Sequence, residues 1–328
     1  MNLQALTAAL LAGRGFAHKR DISDAMAVLQ RSCPAHSGVL VGDDCAALPD
    51  GDGYLLFAME GFVDDFVESM PWFAGYCGVM VNVSDIYAMG GRPLAVVDAI
   101  WSAGADGSRA VLEGLAEASR RYGVPVVGGH TNHRSIRGQL AVAIVGRARR
   151  LLTSFDARPG HRLLVAVDLR GAYEEPHLYW NASTSAPAER LQADLALLPA
   201  LAEEGLCGAA KDISMAGAVG TALMLLECSG VGATLDVNAI PRPEGVPLLR
   251  WLQSFPSYGF VLSVEAQHAA AVCQRFAARG IACRDVGPVH ADPQVWLQED
   301  EQRALLWNVA EQPFIQAPRA ASAESAHA

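Results

Sequence analysis

Lysine is nearly absent from this chain. Its 25 basic residues include only Lys19 and Lys211, against 35 acidic ones, for a formal charge of -10 over 328 residues. A surface of that balance repels nucleic acid and anionic lipid, so neither is an expected partner. Long apolar runs are missing as well. No stretch of 18 or more apolar residues occurs, which excludes a membrane-spanning helix. The opening MNLQALTAALLAGRGFAHKR lacks the early positive charge of a signal peptide and reads as a short amphipathic helix, so the expected location is cytoplasmic. Cysteines at 33, 45, 77, 207, 228, 273 and 283 are odd in number and form no C-x-x-C pair, which argues for reduced thiols and against a zinc site or a disulfide framework. There is no Walker A motif and no internal repeat.

What is present is a folded composition, 51% hydrophobic and 18% charged, long enough for two domains with ordinary cores. The stretch that organises it is WFAGYCGVMVNVSDIYAMGGRP, residues 72 to 93. Its apolar spacing predicts a buried or half-buried helix that ends at Gly90 and Gly91 before Pro93. Asn82 and Asp85 lie three apart and project from one face, and Gly78 leaves the same stripe bare for a ligand or another backbone. Taken alone, Asp85 reads as a capping or hydrogen-bonding residue of a core helix.

Other stretches carry chemistry of similar ambiguity. GRGFAHKRDI is a glycine-flanked segment with Lys19, suited to fold over phosphates as a lid. SGVLVGDDCAALPDGDGYLLFAMEGF predicts a β-hairpin, with Asp43 and Asp44 at the end of its first strand and Glu60 at the end of its second. PLAVVDAIW, the helix from Asp106 to Tyr122 and VPVVGGH read as strand, helix and strand, with a glycine turn at the carboxyl end, where α/β folds place ligands. His130 and His133 form an H-x-x-H pair without an evident third ligand, so no metal is assigned to them. Residues 171 to 187 are polar and aromatic without periodicity, a substrate loop or an ordinary insertion. In AAKDISMAGAVG, Lys211 and Ser214 flank Asp212 at the start of an apolar helix, a setting that attracts phosphate.

NVSDIYAMGGRP resembles the signature of the superfamily containing aminoimidazole ribonucleotide (AIR) synthase, selenophosphate synthetase, thiamine-monophosphate kinase and a hydrogenase-maturation ATPase, and is most similar to the selenophosphate synthetase form. Weaker matches extend it over roughly residues 38 to 290. GDDCAAL resembles the thiamine-monophosphate kinase motif, and GGHT (128 to 131) resembles the selenophosphate synthetase form of a glycine motif. The resemblance implies a metal set of Asp43, Asp44, Glu60, Asp85 and Asp212 holding Mg²⁺, with Asn82, Asp85, Gly128, Gly129, His130, Thr131, Lys211 and Ser214 around ATP, and Lys19 and Asp85 in catalytic roles.

Three departures bear on the substrate. No cysteine stands beside Lys19, which counts against selenide. Met215 stands where thiamine-monophosphate kinases have a second Asp, and Glu60 stands where the family has Asp. The implied fold is α/β (α+β): an N-terminal domain, 1 to 155, whose mixed sheet pairs into a β-barrel in a homodimer, and a C-terminal α+β domain, 156 to 313, with a disordered tail at 314 to 328. The implied function is that of an ATP- and Mg²⁺-dependent phosphotransferase or ATP-activating enzyme acting on a small polar metabolite. A nucleotide-binding regulatory or assembly protein without turnover is the alternative.

Overall fold

A computed structural model describes residues 2–32 and 41–315. The elements run α1 (Leu3–Leu11), α2 (Arg14–Ser32), β1 (Ala46–Asp50), β2 (Gly53–Phe62), α3 (Asp64–Ser69), α4 (Pro71–Ala88), β3 (Arg92–Ala103), α5 (Asp106–Tyr122), β4 (Val126–Asn132) and β5 (Arg134–Ala148). There follow β6 (His161–Val167), β7 (Ala172–Tyr173), β8 (Tyr179–Asn181), α6 (Ala188–Leu195), α7 (Leu197–Glu203), β9 (Ala209–Asp212), α8 (Gly217–Ser229) and β10 (Gly232–Asp236). The last are α9 (Leu248–Leu252), β11 (Phe255–Pro256), β12 (Gly259–Glu265), α10 (Ala269–Ala277), β13 (Ala282–His290), β14 (Gln294–Glu299) and β15 (Gln302–Asn308). No helix among the described residues is long and apolar enough to cross a membrane.

The chain divides into two compact units. The first comprises Asp44–Leu151 and Ser183–Glu203; the second comprises Met1–Asp43, Leu152–Ala182 and Glu204–Ala328. The main division thus falls a few residues before the expected 155/156. Two segments change sides relative to that reading: α1 and α2 belong with the second unit, and α6 and α7 with the first.

In the first unit a five-stranded mixed sheet has the order β1-β2-β5-β3-β4, antiparallel except for the parallel β3–β4 pair. Proline opens α4 at a position that has no intrahelical N–H to lose. Gly90, at φ +72°, closes it, with the Gly91 N–H donating to Ile86 O at 2.9 Å. Every residue from Phe73 to Ala88 is buried, as the absence of a polar face requires. Reciprocal glycines set its crossing with α5. A Cβ on Gly75 would sit 1.9 Å from Val111 O, and one on Gly114 would sit 1.8 Å from Trp72 O. The bare position at Gly78 is filled by β5 and not by a ligand, since a Cβ there would lie 2.8 Å from Val142 Cγ2.

The second unit holds a seven-stranded mixed sheet, β15-β14-β10-β13-β6-β12-β9, and a small three-stranded one, β11-β8-β7. Strands β6, β9 and β12 are buried along nearly their whole length. Leu163, Val165 and Val167 join a core with α1, Phe16 and α8, while alternation turns Leu164 and Ala166 to the opposite face. Phe314 and Ile315, expected in a disordered tail, are instead 1% and 2% exposed. Their N–H groups donate to the buried Glu227 carboxylate at 2.6 and 3.1 Å. The rest of that expected tail lies outside the described residues, as does Cys33. Two mixed sheets carrying helices match the expected two-domain α/β class. Neither main sheet closes on itself among the described residues.

Candidate metal and nucleotide site

Asp85 is 5% exposed on the buried face of α4, and Asn82, one turn earlier, is fully buried. The Asn82 Nδ2 group donates to Gly78 O at 2.8 Å and to Val142 O at 3.0 Å, which ties the helix to the middle of β5. Its Oδ1 is buried with no hydrogen-bond partner among the described residues. The half-buried Asp44 belongs to the bends just before β1, and its carboxylate comes within 4.8 Å of that of Asp85. Two carboxylates from separate elements at that spacing repel unless a cation lies between them.

Glu60 falls on β2 opposite Val142 of β5, which is in turn opposite Asp98 of β3. Directly opposed residues share a face, and Val142 fixes which one, because it is buried against Gly78 of α4. Glu60 and Asp98 therefore flank Val142 on the helix side of the sheet, about 10 Å apart from the strand spacing. Glu60, Asp44 and Asp85 do not all lie within 4.8 Å of one another. Asp98 was not singled out from sequence because it sits in an otherwise apolar strand stretch, VVDAIW. Burial raises its carboxyl pKa, and its Oδ1 would be 2.3 Å from a Cβ on Gly129, so glycine is what makes room for it.

The glycine motif corrects the expected turn. Gly128, Gly129, His130 and Thr131 are not in a loop but inside β4, exposed at the edge of the sheet and parallel to β3. The strand runs through both glycines, and Asp98 occupies the space left by Gly129. The His130 ring lies tilted at 51° to that of Trp101, centroids 6.1 Å apart, and His133 Nδ1 is 3.0 Å from Ser102 Oγ. Asp64 pairs with Arg137, whose guanidinium holds its carboxyl below the usual range.

The remaining expected residues belong to the second unit. Asp43 accepts from the Ser154 N–H and Oγ at 2.8 and 2.7 Å, which draws the Asp pair out of the ladder, so β1 begins after it and not before. Lys211 and Asp212, both 5% exposed, are adjacent on β9, so their side chains leave opposite faces of the strand. Ser214 Oγ is buried without a hydrogen-bond partner among the described residues, three residues before α8. Lys19 is half-buried on α2, so the segment expected as a lid is a helix starting at Arg14. Arg14 and Gly15 are compatible with helix here because the glycine lies against backbone, a Cβ on it meeting Met215 O at 2.0 Å.

Comparison with known proteins agrees with this architecture. The profile of the AIR synthase related protein N-terminal domain matches residues 42–148, and that of the C-terminal domain matches residues 170–298. The chain belongs to the AIR synthase related proteins. An uncharacterized protein of Synechocystis sp. is 47% identical over 92% of this AIR synthase related chain and 94% of its own length. A selenide, water dikinase of Sulfurovum sp. is 26% identical over 69% of this chain and 70% of its own. Among solved structures, PurL of T. maritima complexed with ATP shares the fold at a TM-score of 0.69, with 20% identity, over 88% of this chain and 47% of the PurL chain. The present chain thus spans about half the length of that neighbour.

Proposed function

We propose that this protein is an ATP- and Mg²⁺-dependent phosphotransferase, or an ATP-activating enzyme, that acts on a small polar metabolite. The observation that carries this reading is the approach of the Asp44 carboxylate, just ahead of β1, to within 4.8 Å of that of Asp85 on the buried helix α4. The donor set fits the ion. Hard carboxylate oxygens suit Mg²⁺, and two of its octahedral ligands stand roughly 3 to 4 Å apart, a separation that falls inside that limit. Mg²⁺ held there would neutralise charge on phosphate oxygens during phosphoryl transfer.

The chain's own residues supply the rest. Asn82 fixes α4, and with it the position of Asp85, against β5. Gly128 to Thr131, on an edge strand, present backbone N–H groups that no further strand among the described residues takes up, a backbone suited to line nucleotide phosphates. Lys19 is assigned to a phosphate contact by the family resemblance, Lys211 and Ser214 by their setting at the start of an apolar helix, and Asp43, Glu60 and Asp212 to Mg²⁺ by the family resemblance. A homodimer is part of the proposal. Met59, Ala143 and Val97 stand opposite one another on the outer face of the first unit's sheet, and Met59 and Val97 are 67% and 42% exposed. An apolar row of that kind marks an interaction face.

The alternative, a regulator that binds nucleotide without turnover, is favoured by Glu60 standing outside the Asp44–Asp85 pair. Calorimetric titration with Mg²⁺ and a non-hydrolysable ATP analogue, followed by a metabolite screen for loss of ATP, separates the readings. Mg²⁺-dependent binding with turnover supports the enzyme, and binding without turnover under any metabolite supports the regulator. Absence of Mg²⁺-dependent nucleotide binding would remove both.

A further inference from the structure

Two stretches that the metal site leaves unused, the glycine-flanked GRGF segment and the aromatic stretch after residue 171, form walls of one cavity in the second unit. Its volume is about 290 Å³, near the lower end of ligand-sized pockets. One wall is the turn from α1 into α2, with Arg14 and Phe16. Another is the tip of the β7–β8 hairpin, with His177 and Tyr179, backed by Phe255 of β11. Met215 and Ala216, ahead of α8, close the third side.

Each wall is held in place. A Cβ on Gly13 would meet Gln253 Nε2 at 2.7 Å, so the α1–α2 turn is seated as closely as its glycines allow. Across the hairpin, Glu174 accepts from Asn181 Nδ2 at 2.7 Å and Glu175 from Arg250 at 2.8 Å, while the Arg250 guanidinium lies 3.8 Å over the Tyr173 ring. Both hairpin carboxylates are thereby engaged in holding the hairpin itself.

The chemistry of the lining is selective. Arg14 is the one permanently charged side chain on it, and no carboxylate lines it, in a chain of formal charge -10. Arg14 Nε donates to His18 Nε2 at 3.3 Å, and no acidic side chain among the described residues pairs with its guanidinium. A guanidinium with its Nη groups uncommitted to a carboxylate recognises an anionic group in two-pronged fashion. The rings are arranged for a flat partner. His177 stacks on Tyr179 at 5.1 Å and 16°, and Phe255 meets Tyr179 edge-on at 6.4 Å and 84°, while Phe16 lines the helix wall. Aromatic walls of this kind favour another ring beyond its buried area alone.

We propose that this cavity binds a small metabolite made of a planar ring bearing one anionic group, the anion on Arg14 and the ring against Tyr179. The inference depends only on the geometry of the second unit and stands apart from the nucleotide reading.

The test uses the full chain in EDTA, so that the Asp44–Asp85 site cannot recruit an anion through a metal. Phenyl phosphate, benzoate and uncharged benzamide are titrated by ligand-observed NMR. At least one anionic probe is expected to bind at least tenfold more tightly than benzamide. R14Q should weaken it at least tenfold and R14K by less, while M215W, which fills the cavity from an exposed position, should abolish binding with the thermal melt unchanged. The proposal fails if neither anion binds at millimolar concentration, if benzamide binds equally well, or if R14Q and M215W leave the affinity as it was. Mg²⁺-dependent nucleotide binding, measured separately, decides the fate of the other site.

Discussion

Asn82 donates from one amide group to the carbonyls of Gly78 and Val142, at 2.8 and 3.0 Å, across the contact between α4 and β5. Val142 is also the residue flanked by Glu60 and Asp98, so a single buried side chain registers the helix bearing Asp85 against the strands bearing the other two acids. Asn82→Ala removes both bonds and leaves the amide's buried space empty. The expected cost is about 1 to 3 kcal/mol of stability, read as a lower melting temperature, with a fall in Mg²⁺-dependent nucleotide affinity. Asn82→Asp should be worse, since a carboxylate would face two carbonyl oxygens. Unchanged nucleotide affinity in a folded Asn82→Ala would show that the amide does not position the site.

Much of the first unit was legible because its signals are local. The helix predicted over 72 to 91 is observed over Pro71–Ala88, and the predicted hairpin is observed as β1–β2, although its first strand follows the Asp pair and does not end at it. Motif residues Asp44 and Asp85, 41 positions apart in sequence, do come together. What could not be read depended on contacts between distant segments. The Gly128–Gly129 pair looks like a turn until Asp98 is seen to need the missing side chain of Gly129. The segment at Arg14 looks like a loop until Gly15 is found pressed on the backbone at Met215. Asp98 itself was hidden by its apolar neighbours, though an acid inside a strand pattern was signal enough to question the run.

Thiol reactivity offers an independent check on the second unit. Cys207 is fully buried and burial pushes its thiol up to about 12. Cys273, half-buried, is lowered by a hydrogen bond from the Cys283 thiol, which stabilises its thiolate. The thiolate is the reactive species, so iodoacetamide at pH 7.5 should modify Cys273 well before Cys207, and the Cys273 rate should level off at a pH below that of an ordinary thiol. Cys283→Ala should move that plateau upward. Peptide mass spectrometry over a time course reads all three, and early labelling of Cys207 in the folded protein would contradict the burial described.

The apolar outer face makes the proposed homodimer testable without touching the acids. Met59 is 67% and Phe57 51% exposed, alternating with the buried Leu56 and Ala58. In a monomer Met59→Lys changes a solvent-facing side chain, with an expected effect within about 0.5 kcal/mol. In a dimer packed through this sheet it inserts charge into an apolar contact. Sedimentation equilibrium should then find two-chain mass for the unmodified protein and single-chain mass for Met59→Lys. Single-chain mass for both would rule out a homodimer through this face.

The Asp44–Asp85 pair carries a prediction whose sign differs with and without metal. In EDTA the two carboxylates repel across at most 4.8 Å, so neutralising one should relieve the repulsion. Asp44→Asn, on the half-buried partner outside the helix, should therefore raise the metal-free melting temperature or leave it unchanged. In Mg²⁺ with nucleotide the order should reverse. A ligand that binds only the folded state stabilises it by RT ln(1 + [L]/Kd), about 2.7 kcal/mol at a hundredfold excess over Kd. That gain should appear in the unmodified protein and vanish in Asp44→Asn and Asp85→Asn alike. A merely structural pair would behave oppositely, with both variants less stable in EDTA and no Mg²⁺-dependent shift in any of them. Paired thermal melts in EDTA and in Mg²⁺ with a non-hydrolysable ATP analogue decide between the two, because only a cation site makes the same substitution favourable in one buffer and unfavourable in the other.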